Sequence, residues 1–164
     1  MSISNLEELF LHELRDVLDA ERQLTKALPR MAKAAMSEQL KTAFEDHLSV
    51  TEEQIGRLET IFASMDKAVR AKHCSGMEGL VKEGSELIEE EEPSVALDAA
   101  LIGAAQKAEH YEIAAYGSLS TYAEQLGMND AVSLLEATLA EEKETDLLLT
   151  ELASSLNLQA QEGE

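Results

Sequence analysis

The side chains best placed to do chemistry in this chain are polar residues standing where helices carry their core. Read at alternating spacings of three and four, one stretch gives Phe10, Leu14, Val17, Glu21, Leu24, Leu28 and Met31. A second gives Leu40, Phe44, His47, Thr51, Gln54, Leu58 and Ile61. A third gives Ile102, Ala105, Glu109, Glu112, Tyr116, Leu119, Ala123 and Leu126, and a fourth gives Leu135, Thr138, Glu142, Thr145, Leu149, Leu152 and Leu156. Such spacing marks the buried face of an α-helix. Each stripe is interrupted near its middle: by Glu21; by His47, Thr51 and Gln54; by Glu109 and Glu112; and by Glu142.

Several carboxylates cannot remain ionised together in an apolar interior without compensation, because each unpaired buried charge costs several kcal/mol or forces protonation. A cation is the simplest compensation, and a glutamate-rich donor set suits iron or manganese. The candidate ligands are Glu21, Glu109, Glu112 and Glu142, with His47, Gln54 and Asp146 as weaker or outer positions. Bound iron with an open position would allow oxidation of ferrous iron or disposal of peroxide, but no residue is marked as catalytic. The same residues support a second reading. Protonated acids, satisfied by Thr51, Gln54, His47 and Tyr116, would form a polar network that only fixes helix register. One departure bears on the choice. Di-iron bundles carry Glu-x-x-His on two helices, and that spacing is absent here: His47 follows Phe44, and His110 follows Lys107. The expected site is therefore carboxylate-rich and histidine-poor, with one weak half.

Four long helices must position these residues, at about 5–36, 37–65, 95–126 and 129–157. Ser4 or Asn5 can cap the first, Ser37 the second, and Gly127 ends the third. Pro29 falls inside the first helix, so either that helix kinks or its neighbours absorb the lost hydrogen bond. Residues 66–94 form a long crossover with a short helix at about 77–91, and the tail after Asn157 is expected to fray. Short, long and short connections give two antiparallel hairpins joined across the length of an all-α bundle, the ferritin-like topology. Glu21 lies 16 residues before Ser37 and Thr51 lies 14 after it; Glu112 and Glu142 each lie 15 from Gly127. At a rise of about 1.5 Å per residue, all are about 20 Å from their turns. The interruptions should meet in one layer at mid-height.

The chain has 164 residues, suited to one domain, and 33 acids against 13 bases give a net charge of -20. Such a surface repels nucleic acid and anionic membrane. Cys74 stands alone, which excludes an internal disulfide and fits a reducing compartment. The acidic N-terminus is unlike a signal peptide, and no apolar run approaches a membrane span, so the expectation is cytoplasmic. His12, His73 and His110 lack ligand spacing and read as surface residues. Glu89 to Glu92 read as a solvated face. Cys74, near Lys72 and His73, reads as structural or idle, although a nearby cation could lower its pKa. Tyr116 and Tyr122 read as packing residues, although Tyr116, one turn from Glu112, could hydrogen-bond to it. Nucleophilic triads, phosphate loops and zinc motifs are absent from the sequence.

Five stretches carry a resemblance: AERQLTKALPRMAKAA in the first helix, HLSVTEEQIGRLE in the second, HCSGMEGL in the crossover, AALIGAAQKAEHYEIAAYGSLSTYAEQLG in the third helix and LLEATLAEEKETDLLLTELA in the fourth. Together they resemble the ferritin-like stress proteins of the YciE/YciF family, the YciF branch most. The resemblance covers nearly the whole chain. It implies a ferritin-like fold, a part in bacterial stress responses and association as a homodimer; under the register reading, function would lie in that dimer surface or in a protein partner bound during stress. Glu21, Glu109, Glu112 and Glu142 match the family's acidic positions. Val50 stands where family members often carry Glu, which removes one candidate carboxylate.

Overall fold

A computed structural model describes residues 3–162, which form five α-helices and no strand among the described residues. Helix α1 spans Leu6–Ala34, α2 Glu38–Ser64, α3 Ser75–Glu90, α4 Val95–Gln125 and α5 Asn129–Glu162. The first helix starts where a capping residue meets an acid. The Asn5 side chain accepts from the backbone N–H of Glu8 at 2.9 Å, and the Glu8 carboxylate reaches back to the backbone N–H of Ser4 at 2.8 Å. Ser37 and Ser94 cap α2 and α4 in the same way.

Each of the four long helices packs on two of the others: α1 on α2 and α4, and α5 on α4 and α2. Two apolar clusters fill the interior. One collects Phe10, Leu14, Leu58, Ile61, Leu119 and Leu135; the other collects Leu28, Met31, Leu40, Phe44, Leu97, Leu101 and Leu156. Following each helix from one cluster to the other fixes its direction. The hairpins α1–α2 and α4–α5 turn at opposite ends, and the chain between α2 and α4 must return along the full length. Helix α3 lies on that return path, against α1 and α4.

Two boundaries depart from the sequence expectation, and one expected proline is accommodated. Helix α3 begins at Ser75, two residues early, because the Cys74 thiol accepts from the backbone N–H of Met77 at 3.4 Å and caps it. Helix α5 continues to Glu162 rather than fading near Asn157. Leu156 is buried there, and Leu158, Gln159 and Ala160 are good helix formers. Helix α1 passes through Pro29 without ending. Pro29 is exposed, so the Thr25 carbonyl it leaves without a donor sits toward the solvent side.

The α1–α2 turn is held from an unexpected quarter. Asp98 of α4 is 1 % exposed, and its two carboxylate oxygens accept from the backbone N–H groups of Met36 and Ser37, each at 2.8 Å. The acid thus answers two donors at the start of α2 and sits at the positive end of that helix. Replacing Asp98 by Ala should lower the unfolding free energy by about 2–4 kcal/mol, read from urea denaturation. A loss below about 0.5 kcal/mol would show that this clasp does not hold the turn.

Candidate metal centre

Between the two apolar clusters lies a buried polar layer. Glu21 of α1, His47, Thr51 and Gln54 of α2, Glu109 and Glu112 of α4, and Thr138 and Glu142 of α5 are all buried. The mid-height layer expected from helix rise is therefore present. Within it, one ligand atom from each of His47, Glu109, Glu112 and Glu142 lies within 4.8 Å of those of the other three.

The contacts divide these side chains into those with partners and those without. His47 Nε2 stands 2.9 Å from Glu109 Oε1, close enough for charge attraction but without the alignment of a hydrogen bond. The other ring nitrogen, Nδ1, is 3.4 Å from the Thr145 hydroxyl, which leaves Nε2 facing the acids. The Thr51 hydroxyl donates to the His47 carbonyl at 2.8 Å and is satisfied within its own helix. The Gln54 amide donates to Glu142 Oε1 and, at 3.1 Å, to Glu141 Oε2. Arg57 grips Glu141 with two hydrogen bonds, at 2.7 and 2.6 Å, and donates to the Thr138 hydroxyl at 3.1 Å. Burial pushes Glu141 up, but Arg57 and Gln54 outweigh it and hold this carboxyl below its ordinary range. The chain Arg57–Glu141–Gln54 thereby orients Glu142, as outer groups orient ligands at metal sites.

Other oxygens have nothing. Glu21 Oε2, Glu109 Oε2, both oxygens of Glu112, Glu142 Oε2 and Gln54 Oε1 are buried with no hydrogen-bond partner among the described residues. Orphaned carboxylate oxygens in a buried layer are expensive. The consequence is written in their protonation. Burial, then the charge of Glu142, pushes Glu21 up to about 8, against the hydrogen bond from Tyr116. Burial and the neighbouring acids also push Glu109 and Glu112 well above the ordinary carboxylate range. Tyr116 is raised for the same reasons, burial first, and stays a donor.

These observations test whether a metal fits. Four buried donors converge, three of them glutamates with orphaned oxygens and one an imidazole whose Nε2 faces them. That is a hard-oxygen set with one nitrogen, donors that could hold a metal ion. The residues fit such an ion.

The structure weighs the sequence candidates differently. It brings together Glu109, Glu112, Glu142 and His47, so His47 stands with the first rank of candidates. Glu21 is in the layer but beside the group: its Oε1 accepts from the Tyr116 hydroxyl. Tyr116 therefore bonds across to α1 rather than to Glu112. Gln54 contributes as a donor that positions Glu142. Asp146 stands outside; one of its oxygens lies 3.1 Å from His110 Nε2, while the other is buried without a partner. Arg57 and Glu141 were not read from the sequence. Both are partly exposed and lie off the stripes, so only their pairing across α2 and α5 reveals them.

Away from this layer, Cys74 is fully buried, and its thiol is pushed up, by burial first. No cation lowers it, so its part is structural. The thiol lies 3.0 Å from the Tyr111 hydroxyl, which donates to Asp16 at 3.0 Å. A Cβ added at Gly76 would come 2.6 Å from the Tyr111 ring, so the ring's seat against α3 requires glycine there.

Comparison with known proteins agrees with this architecture. A family model described as a domain of unknown function, DUF892, matches residues 5–162. Protein YciF of Escherichia coli strain K12 is 48% identical over 154 residues, covering 93% of each chain. The crystal structure of the E. coli stress protein YciF superposes with a TM-score of 0.91 at 47% identity, over 94% of this chain and 98% of that one. YcfI of Rhodopseudomonas palustris gives 0.88 at 41% identity, over 91% and 95%. A protein of Xanthomonas campestris pv. campestris, 18% identical with a TM-score of 0.76, shares the fold. With a family model spanning almost the entire chain and a relative nearly half identical across it, the protein belongs to the DUF892 family, on the YciF side of it.

Proposed function

We propose that this protein is a ferritin-like four-helix bundle, a single domain, that holds iron or manganese at mid-height and serves in a stress response. One observation carries the reading: glutamate oxygens from α4 and α5 converge with His47 in a buried layer and lack hydrogen-bond partners. Glu109, Glu112, Glu142 and His47 would hold the ion. Glu21 would stand at its edge, kept in place by Tyr116, and Gln54 would fix the orientation of Glu142. When bound, the metal would supply a centre for redox chemistry with ferrous iron or peroxide. The stress role is carried from the relative called the E. coli stress protein YciF.

The direct test is elemental analysis of protein purified without chelator, repeated on a Glu21→Ala, Glu142→Ala double variant. The expected result is near-stoichiometric iron or manganese that is lost in the variant. Absence of metal in both, together with no thermal stabilisation by added Mn²⁺ or Fe²⁺, would reject the site.

A second reading is favoured by one feature: the Arg57–Glu141–Gln54 chain already satisfies one edge of the layer as a plain hydrogen-bond network. On this view the layer sets helix register and the protein acts through its surface. Both readings include a homodimer in the cytoplasm, and no described helix is long and apolar enough to cross a membrane. Leu147 and Leu148 of α5 are 64% and 43% exposed and line one recess with Val50 of α2. Val50 thus belongs to this face rather than to the acid layer. Light scattering should return twice the chain mass for the native protein, and a Leu147→Glu, Leu148→Glu variant should weigh as a monomer. A native monomer would remove the dimer from both readings.

A further inference from the structure

A second site lies at the other side of α1, independent of the metal reading. After α2 the chain reverses at Asp66, whose φ of 57° is left-handed, and runs back along α1 as an extended strap. The backbone N–H of Lys72 donates to the Arg15 carbonyl at 2.9 Å, and that of Cys74 donates to Asp19 at 2.8 Å. The strap is thereby pinned at both points. Between it and α1 is a recess of about 490 Å³, lined by Leu11, His12, Arg15, Arg70, Lys72 and Glu8, with Ile3 and Ala71 at its edge.

The charge balance of this recess is opposite to that of the protein. The chain has 33 acids and 13 bases, yet here Arg15, Arg70 and Lys72 face the single acid Glu8. Glu8 is engaged at the α1 cap with Ser4. Lys72 is paired with Asp16 at 3.2 Å, and His12 with Glu13 at 3.0 Å. Among the described residues Arg15 and Arg70 have no carboxylate within bonding reach. Arg15 Nε is buried without any hydrogen-bond partner. Arg15 also lines the open recess, so its guanidinium stands there as a charged donor group without an acid partner.

We propose that this recess binds a small organic anion, a carboxylate or phosphate ester with an apolar body. The planar guanidinium of Arg15 offers the paired donors that carboxylates and phosphates accept, and Arg70 closes on the same charge from the strap. Leu11, Ile3 and Ala71 offer the apolar body a wall. The protein's net charge of -20 opposes any anion at long range, but that field is screened beyond about 8 Å at physiological salt. Selectivity then rests on the local arginines.

The test is titration of the full-length, ¹⁵N-labelled protein with benzoate, phenyl phosphate and inorganic phosphate. The reporter is the Arg15 Nε–Hε resonance, assigned by its disappearance in Arg15→Gln. Benzoate and phenyl phosphate should shift this resonance saturably, and the tighter of the two names the head group. Inorganic phosphate, lacking the apolar body, should bind at least about tenfold more weakly. Arg70→Ala, on the exposed strap, should weaken the organic anions about tenfold or more while leaving the rest of the spectrum in place. A shift that does not saturate, that inorganic phosphate produces equally, or that saturates at the same concentration in Arg70→Ala would overturn the proposal.

Discussion

In the presence of chelator, the protein should become less stable as pH rises from about 5 to about 8.5. The acid layer sets this sign. Folded, Glu21 keeps its proton up to about pH 8; unfolded, it releases it near 4.5. Between those values the folded chain binds more protons than the unfolded chain, so unfolding free energy falls with rising pH. The stability is fully present below the unfolded value and lost as pH passes the folded one. Glu109 and Glu112, raised by burial and by their acidic neighbours, push in the same direction. At about 1.4 kcal/mol per unit, the layer should lose on the order of 3–5 kcal/mol across this window. For a chain of this length that is roughly 10 °C in the melting midpoint. Thermal melts in EDTA at pH 5.5 and 8.5 measure it, and Glu21→Gln should flatten the dependence. A midpoint that is constant or rises with pH would mean that the acids are not held protonated in the layer.

With Mn²⁺ or Fe²⁺ present the slope should reverse. A metal ion binds the deprotonated carboxylates and releases their protons, so its affinity grows with pH. The same layer would then destabilise the empty protein at high pH and stabilise the loaded one. A register-setting network predicts only the first of these effects, because no ion enters to replace the protons. The two readings of Glu21, Glu109, Glu112 and Glu142 thus separate on a single pair of melts.

What the sequence made legible and what it hid follow from the range of each interaction. The stripes were readable because burial imposes a helical period on residues such as Phe10, Leu14 and Val17, and a polar break in that period needs no knowledge of the partner helix. Height along the helix is also local, since rise per residue is constant, so the common level of Glu21, Thr51, Glu112 and Glu142 could be computed. Which break touches which is not local. Tyr116 reaching Glu21 depends on rotation and distance between α4 and α1, and sequence spacing offered only packing or Glu112 on its own helix. His47 read as a weaker or outer candidate in its stripe, and only packing put its Nε2 against Glu109. Asp98 hid most completely. In the first turn of α4 an acid is ordinary, and nothing in VALDAAL announces that its carboxylate closes the turn between two other helices.

Replacing Glu112 by Gln should have opposite effects on the empty and the loaded protein. In the wild type both Glu112 oxygens are buried and unpartnered, and burial, then Glu21, then Glu142, drives its protonation. Glutamine keeps the shape and removes the charge. Its amide can donate to the orphaned Oε2 of Glu21, and Glu109 and Glu142 lose one neighbour of like sign. At pH 8 the wild type must either bury that charge or hold the carboxyl protonated far above its unfolded value, and a neutral amide avoids both costs, a change commonly stabilising by about 1–4 kcal/mol. The metal-free variant should therefore melt higher than wild type at pH 8, by at least about 2 kcal/mol. Metal should do the reverse. An ion at 1,000 times its dissociation constant stabilises by about 4 kcal/mol, and an uncharged amide in place of one of three carboxylates should reduce that gain to less than about 1 kcal/mol. Wild type would then gain from Mn²⁺ while Glu112→Gln would not, and in EDTA their order of stability would invert. If the variant is less stable than wild type in EDTA, the layer is a satisfied network in which Glu112 is a needed member. If both proteins gain equally from metal, the ion binds elsewhere on the acidic surface and the mid-height site is wrong.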